Sequence, residues 1–191
     1  ARMRRGCLYR HAEELGCNGE FIFSELVVYS GACESARTDF QLAWSGVGQH
    51  TDIMTPMHLC LLAAAVANDG VMMTPKLLLE ARGGKGAALM PAAYKAPLRG
   101  NEAAFLKECM KKTVAGGTGT KARVGGYTVC GKTGTAEVSA SAAPHAWFVG
   151  FIEEEARPYA VCVVVENGGG GGAIAAPLAA YVLEQAILLV K

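Results

Sequence analysis

The stretch from Thr55 to Gly70 sets the tightest limit on what this chain can fold into. Thr55 suits a helix N-cap, Pro56 suits the first helical turn, and Gly70 suits the position just past the end. Between them, Met57 to Ala67 is apolar almost all round. A helix over Pro56 to Asp69 therefore has no polar face to offer water and must be buried on most sides, in the core of a domain. The rest of the chain has the material to bury it. It has 191 residues, 51% of them hydrophobic, which fits one domain or most of one and excludes disorder as a whole-chain state. Charged residues make up 18% and the net charge is +1, so nothing points to a nucleic-acid partner or an anionic-membrane surface.

Around that helix the elements follow from local patterns. His11 to Leu15 reads as the end of a helix stopped by Gly16. Glu20 to Ser30 has room for a short strand, and Gly31 to Arg37 reads as loop. Val71 to Glu80 reads as an extended exit from the buried helix, and Ala81 to Gly100, rich in Gly, Ala and Pro, as a surface loop. Glu102 to Val114 forms a second helix, with Phe105, Leu106, Cys109 and Met110 on one face and Lys107, Lys111 and Lys112 pointing away. The last third changes character. Three β-type runs, Tyr127 to Cys130 (followed by Gly131 to Thr135), Ala146 to Ile152 and Tyr159 to Glu166, are joined by short connections, with Glu153 to Pro158 as a hairpin loop. They predict an antiparallel sheet. A final helix spans Ala175 to Lys191. An antiparallel sheet with packed helices is an α+β domain.

Several function classes drop out. The seven cysteines are odd in number and irregular in spacing, with no CxxC pair, so they read as small buried hydrophobes rather than a disulfide framework or a zinc site. His50 and His58 lie eight residues apart and do not share a helical face, and no metal or other cofactor is expected. The 24 glycines fall in clusters that mark turns, and no GxxxxGK[ST] phosphate loop is present. His145, the Glu153 to Glu155 run and Glu166 read as structural or solvated positions. No apolar run is long enough to span a bilayer.

One segment concentrates chemistry: Gly131-Lys132-Thr133-Gly134-Thr135. On a strand, alternate side chains share a face, so Thr133 and Thr135 point one way and Lys132 the other. Two hydroxyls beside a cation suit a carboxylate ligand. Gly134 lets a ligand backbone approach closely, and an edge strand can take up an extended peptide as an added strand. By itself Lys-Thr-Gly is far more often an ordinary turn sequence.

The surrounding blocks decide between those readings. Gly46-Val47-Gly48-Gln49 precedes Thr55-Pro56-Met57-His58-Leu59; Ala67-Asn68-Asp69-Gly70 follows; then come Gly116 to Thr120, Gly131 to Glu137 (GKTGTAE), His145 to Gly150 (HAWFVG), and Val163 to Asn167 with Ala176-Pro177. In this order they resemble the penicillin-binding protein transpeptidase domain, most nearly its class B members, over nearly the whole chain. The resemblance implies a peptidoglycan D,D-transpeptidase region whose strand binds a stem peptide, or the β-lactam that mimics it. It implies that Lys132 sets the electrostatics around nucleophile and carboxylate, that Thr133 and Thr135 hydrogen-bond the carboxylate, and that the Thr135 N–H is an oxyanion donor.

The departure from the family pattern is equally informative. The six serines are Ser24, Ser30, Ser35, Ser45, Ser139 and Ser141, and none has lysine three positions on or asparagine two positions on. Residues 1–191 therefore read as the C-terminal portion of a single transpeptidase domain, an incomplete form of the fold, with the N-terminal portion and its serine lying outside them. The chain alone is expected to be inactive, because acyl transfer needs an activated nucleophile. The parent is expected on the extracytoplasmic face of the bacterial membrane. The fragment's partners would be the stem peptide, β-lactams, the absent N-terminal part and, through uncovered apolar surface around Pro56 to Asp69, further copies of itself. A non-catalytic peptide or penicillin sensor of the same family is the alternative; a β-lactamase is a third reading, for which no deacylating residue can be placed.

Overall fold

The computed structural model describes residues 6–23, 26–77, 90–139 and 141–189. Its centre is a three-stranded antiparallel sheet of β5 (Val129–Ala136), β6 (His145–Ile152) and β7 (Ala160–Val165), in the order β5-β6-β7. Helices cover both faces, so the α+β expectation holds. On one face lies α5 (Ala175–Leu189), on the other α3 (Pro56–Ala67) and α4 (Gly100–Gly116). Around the far side of α3 stand α1 (Cys7–Glu14), a hairpin of β1 (Glu20–Ile22) and β2 (Val27–Tyr29), the short helix α2 (Asp39–Gly46), and a ladder of β3 (Met72–Met73) with β4 (Ala93–Lys95).

Side-chain size explains how these layers meet. Helix α5 presents Ala175, Ala176, Ala179, Ala180 and Leu183 to the sheet; its small residues bring the helix close to Ala146, Phe148, Ile152 and Val161. Phe148 is fully buried because two glycines make room for it. Gly131 and Gly150 pair across β5 and β6, and a Cβ on either would run into the Phe148 ring. The opposite face packs Cys130 and Phe151 against Ala63 and Val66 of α3. A third cluster joins Leu61, Ala65 and Met72 to Phe21, Phe23 and Val28 of the hairpin. Each fully buried phenylalanine contributes about 2–3 kcal/mol of apolar transfer.

The buried helix forms as its sequence predicts. The Thr55 hydroxyl accepts the His58 N–H at 3.2 Å, Pro56 occupies the first turn, and Gly70 takes φ 95° beyond the end. It is packed on two sides: Ala63 and Val66 are buried against the sheet and Leu61 and Ala65 against the hairpin, His58 is buried with them, and Leu59 and Leu62 are half-buried.

Four expectations need correction. In α4 the buried residues are Ala103 and Val114, with Met110 against the sheet cluster, whereas Phe105 is 69% exposed and Cys109 is exposed. The sheet meets α4 through Met110 and Val114, and the predicted apolar face is left largely uncovered. Lys107 and Lys111 do not point away. Lys107 Nζ donates to Ala67 O at 3.2 Å, and Lys111 pairs with Glu153 at 2.8 Å, so Glu153 is a tethered residue rather than a solvated tip. Within the predicted 81–100 loop, Ala93–Lys95 is a strand; residues 81–89 lie outside the described residues. Helix α2 was not anticipated. Its signal was a capping box, Thr38 with Gln41, in which the Thr38 hydroxyl accepts the Gln41 N–H and Gln41 Oε1 accepts the Thr38 N–H.

Candidate functional site

Among the described residues, strand β5 is an edge of the sheet, paired to β6 on one side only. Its register sets Lys132 opposite Val149, Thr133 opposite Phe148, and Thr135 opposite Ala146. The alternation divides the motif as the strand period requires. Thr133 and Thr135 lie on the face toward the glycine-rich turn before α5: the Thr133 hydroxyl is 2.7 Å from that of Thr118, and the Thr135 hydroxyl accepts the Gly171 N–H at 3.4 Å. Lys132 lies on the other face, with α3 and α4. Lys132 and Thr135 are exposed, and Thr133 is half-buried.

The outer edge of β5 carries two further contacts. Lys132 Nζ donates to Thr133 O at 2.6 Å, and Gln49 Nε2 donates to Thr135 O at 3.1 Å. Residues 133 and 135 therefore turn their carbonyls away from β6, and an antiparallel ladder turns their N–H groups the same way. Gln49, in the loop after α2, holds the Thr135 carbonyl. Thr118 comes from the Gly116 to Thr120 turn that follows α4, where the Gly119 N–H donates to Thr113 O at 3.0 Å. Neither residue was given a role by the sequence; both stand in blocks that the sequence singles out.

Gly134 has an internal reason for its missing side chain. A Cβ there would sit 3.0 Å from Trp147 Cβ, and a Cβ on Gly171 would press into the Gly134 and Trp147 carbonyls. The glycine turn of residues 168–172 is thus laid flat on β5 and β6, behind the two threonines.

Beneath the motif, Cys130 is fully buried and its thiol is pushed up to about 11, chiefly by burial, so it is no nucleophile at neutral pH. On the Lys132 face opens an apolar groove of ≈ 430 Å³ lined by Leu59, Leu62, Val66, Leu106 and Met110, with Lys132 among its walls.

Two of the four histidines hold backbone in place. His145 Nδ1 accepts the Asn167 N–H at 2.9 Å, which fixes the turn after β7. His58 is fully buried: Nδ1 accepts the Gly31 N–H at 2.8 Å, Nε2 donates to Leu15 O at 3.1 Å, and the ring meets Phe21 edge-on at 4.8 Å. Burial lowers its pKa, so it is a neutral crosslink between the first residues and α3. Among the described residues no group of three or more His, Cys, Asp or Glu could hold a metal ion, and no helix is long and apolar enough to cross a membrane.

An edge strand bearing Lys-Thr-Gly-Thr, backed by a glycine turn and flanked by an apolar groove, meets a direct match. Residues 27–184 match the penicillin binding protein transpeptidase domain. The chain belongs to that family. It is similar to the peptidoglycan D,D-transpeptidase PbpA of Mycobacterium tuberculosis, 33% identical over 159 residues, which is 76% of this chain and 32% of that protein. PbpA of Mycolicibacterium smegmatis is 32% identical over 66% of this chain and 27% of its own length. The chain thus spans about a third or less of these curated relatives. Among solved structures, it resembles penicillin-binding protein A from M. tuberculosis in its ceftriaxone acyl-enzyme complex, with a TM-score of 0.83 at 28% identity over 93% of this chain and 42% of that one. It also resembles the D,D-transpeptidase domain of a peptidoglycan glycosyltransferase from Eggerthella lenta, with a TM-score of 0.78 at 28% identity over 95% of this chain and 47% of that one. The fold is therefore a transpeptidase fold in part.

Proposed function

We propose that this chain supplies the carboxylate-gripping strand of a serine D,D-transpeptidase, with the nucleophilic serine carried on polypeptide outside these 191 residues. The observation that carries the reading is the pairing of two hydroxyls, Thr133 and Thr135, on one face of a sheet edge, with Lys132 curling over that edge. A peptide laid along β5 would meet both hydroxyls with its terminal carboxylate, and the Lys132 ammonium would add charge-assisted attraction. The Thr135 N–H, on the same outer edge as the carbonyl that Gln49 holds, would donate to the oxyanion of the acyl carbonyl under attack. Lys132 and Gly134 would bind alongside, Gly134 by letting the ligand backbone lie close.

The apolar groove beside Lys132 fits the same reading. A segment docked there would bring its own residues up to Lys132, which is where a serine and its base must stand to reach the bound peptide. The ligand is a stem peptide ending in D-Ala-D-Ala, or a β-lactam. The site would then work on the extracytoplasmic face of the membrane, where such peptides are cross-linked. Six serines without a lysine three positions on favour one alternative, a binding module that grips the peptide without turnover. Both readings need the same grip.

The test is a titration of the labelled chain with a peptide ending in D-Ala-D-Ala, followed through backbone amide resonances. The expected result is saturable shifts at residues 132–135, weakened about 10–100-fold by Thr133→Val or Thr135→Val, and abolished when the peptide's carboxyl terminus is amidated. Equal binding of the amidated peptide, or shifts confined elsewhere, would overturn the assignment.

A further inference from the structure

The turn that opens the β1–β2 hairpin holds two cysteines together, and the transpeptidase reading uses neither. Asn18, with left-handed φ 60°, follows Cys17 directly. Its N–H donates to Gly31 O at 2.8 Å. Its side chain clamps Cys33 from both sides: Nδ2 donates to Cys33 O at 2.9 Å and lies 3.6 Å from Cys33 Sγ, while Oδ1 accepts the Cys33 N–H at 2.9 Å. The residue after Cys17 is therefore lashed to Cys33 by three contacts and to Gly31 by a fourth. Both cysteines are 8% exposed, and each thiol bears on the ionisation of the other, with Met54 Sδ 3.8 Å from Cys17 Sγ.

We propose that Cys17 and Cys33 form a disulfide, a redox-sensitive staple between the end of α1 and the stretch that leads into α2. The oxidant is a disulfide, small-molecule or protein. One thiolate attacks it, displacing one thiol and leaving a mixed disulfide on the chain. The second thiolate attacks that bond and displaces the other thiol. The chain loses two protons and two electrons, and the reagent leaves as two thiols. Burial pushes the Cys17 thiol up to about 11 and raises that of Cys33, so little thiolate exists at neutral pH in the closed fold. The exchange therefore occurs while the turn is open, during folding, and the finished bond is shielded from reductant. Its position gives it a consequence. From Cys33 the chain runs through the Thr38 cap into α2 and on to Gln49, the residue that reaches Thr135 O. A crosslink at Cys33 fixes one end of that path.

The test uses the full chain, refolded in a mixed reduced and oxidised glutathione buffer, acid-quenched, alkylated in denaturant and digested. Residues 11–37 form a single tryptic peptide holding both cysteines. It is expected about 2 Da lighter than its reduced form and free of alkyl groups. Cleavage after glutamate should leave residues 15–20 joined to residues 26–34. The same oxidation run in denaturant should be at least about tenfold less favourable, because the Asn18 clamp is then absent. The oxidised chain should also melt several degrees above the reduced one, and the Cys17→Ser and Cys33→Ser variants should lose that redox dependence. Two alkyl groups on the peptide after oxidative refolding would overturn the proposal. So would a bond from either cysteine to another partner, or pairing equally favourable in denaturant. The peptide titration proposed above is independent of all these outcomes.

Discussion

The run Gly168 to Gly172 offers a sharp test of the packing behind the two threonines, because neighbouring glycines in it carry opposite demands. At Gly171 a Cβ would fall inside contact with the carbonyl oxygens of Gly134 and Trp147, and 3.0 Å from Gly134 N. All three atoms are sheet backbone, so no side chain can swing aside. Relief requires lifting the turn off the sheet by roughly 1 Å, which forfeits dispersion contacts along β5 and β6. Overpacking against atoms that cannot move costs about 3 kcal/mol. It also pulls on the hydrogen bond from Gly171 N to Thr135 Oγ1. At Gly170 an added Cβ meets nothing within 4 Å, and the backbone lies outside the left-handed region. Gly170→Ala should therefore be neutral or stabilising by up to about 1 kcal/mol, through reduced freedom of the unfolded chain. Gly169 has open space but φ 93°, so Gly169→Ala should cost about 1 kcal/mol from backbone strain alone. Urea unfolding of the three variants, followed by circular dichroism, reads the order directly. If Gly171→Ala unfolds within about 0.5 kcal/mol of the parent, or Gly170→Ala is the worst of the three, the turn does not lie on β5 as described.

Three further outcomes follow from the same packing. His58 is held neutral, with its pKa lowered from 6.5 chiefly by burial, so the unfolded chain takes up its proton first as pH falls. Its contribution is complete above pH 6.5 and is lost as pH falls toward the lowered folded value, with a slope approaching about 1.4 kcal/mol per pH unit; His58→Gln, although less stable, should lose that part of the slope in denaturant titrations between pH 7 and 5. Phe148→Ala empties the slot between Gly131 and Gly150 and should destabilise by about 3–5 kcal/mol; a loss under about 1 kcal/mol in the same assay would contradict a core centred on that ring. The groove lined by Leu59, Leu62, Leu106 and Met110 should drive concentration-dependent self-association, reduced by Leu106→Glu; dispersed monomer in light scattering, with no binding of an apolar dye, would contradict this.

Much of the fold was legible because its signals are local. Thr55, Pro56 and Gly70 bracket α3 within one short stretch, and the three β-type runs of the last third lie next to one another in sequence and in the sheet. Where a face depended on a partner, local reading failed. The periodicity of α4 pointed to Phe105 and Cys109, but the sheet chose the stripe through Met110 and Val114, and no hydropathy pattern encodes that choice. Lys107 and Lys111 misled for a related reason, since a lysine stem lies against apolar surface while its ammonium reaches a carbonyl or carboxylate. At the site, the strand period alone placed Thr133 and Thr135 opposite Lys132. The contacts of Thr118 and Gln49 span 15 and 86 residues of sequence and become visible only once the chain is folded.

The most direct test of the central claim is incubation of this 191-residue chain with a fluorescent penicillin, followed by denaturing electrophoresis. The account assigns the attacking serine to polypeptide outside these residues, so it predicts no fluorescent band for the chain alone. A covalently labelled band at the mass of this chain would place a nucleophile among its own residues and contradict the account.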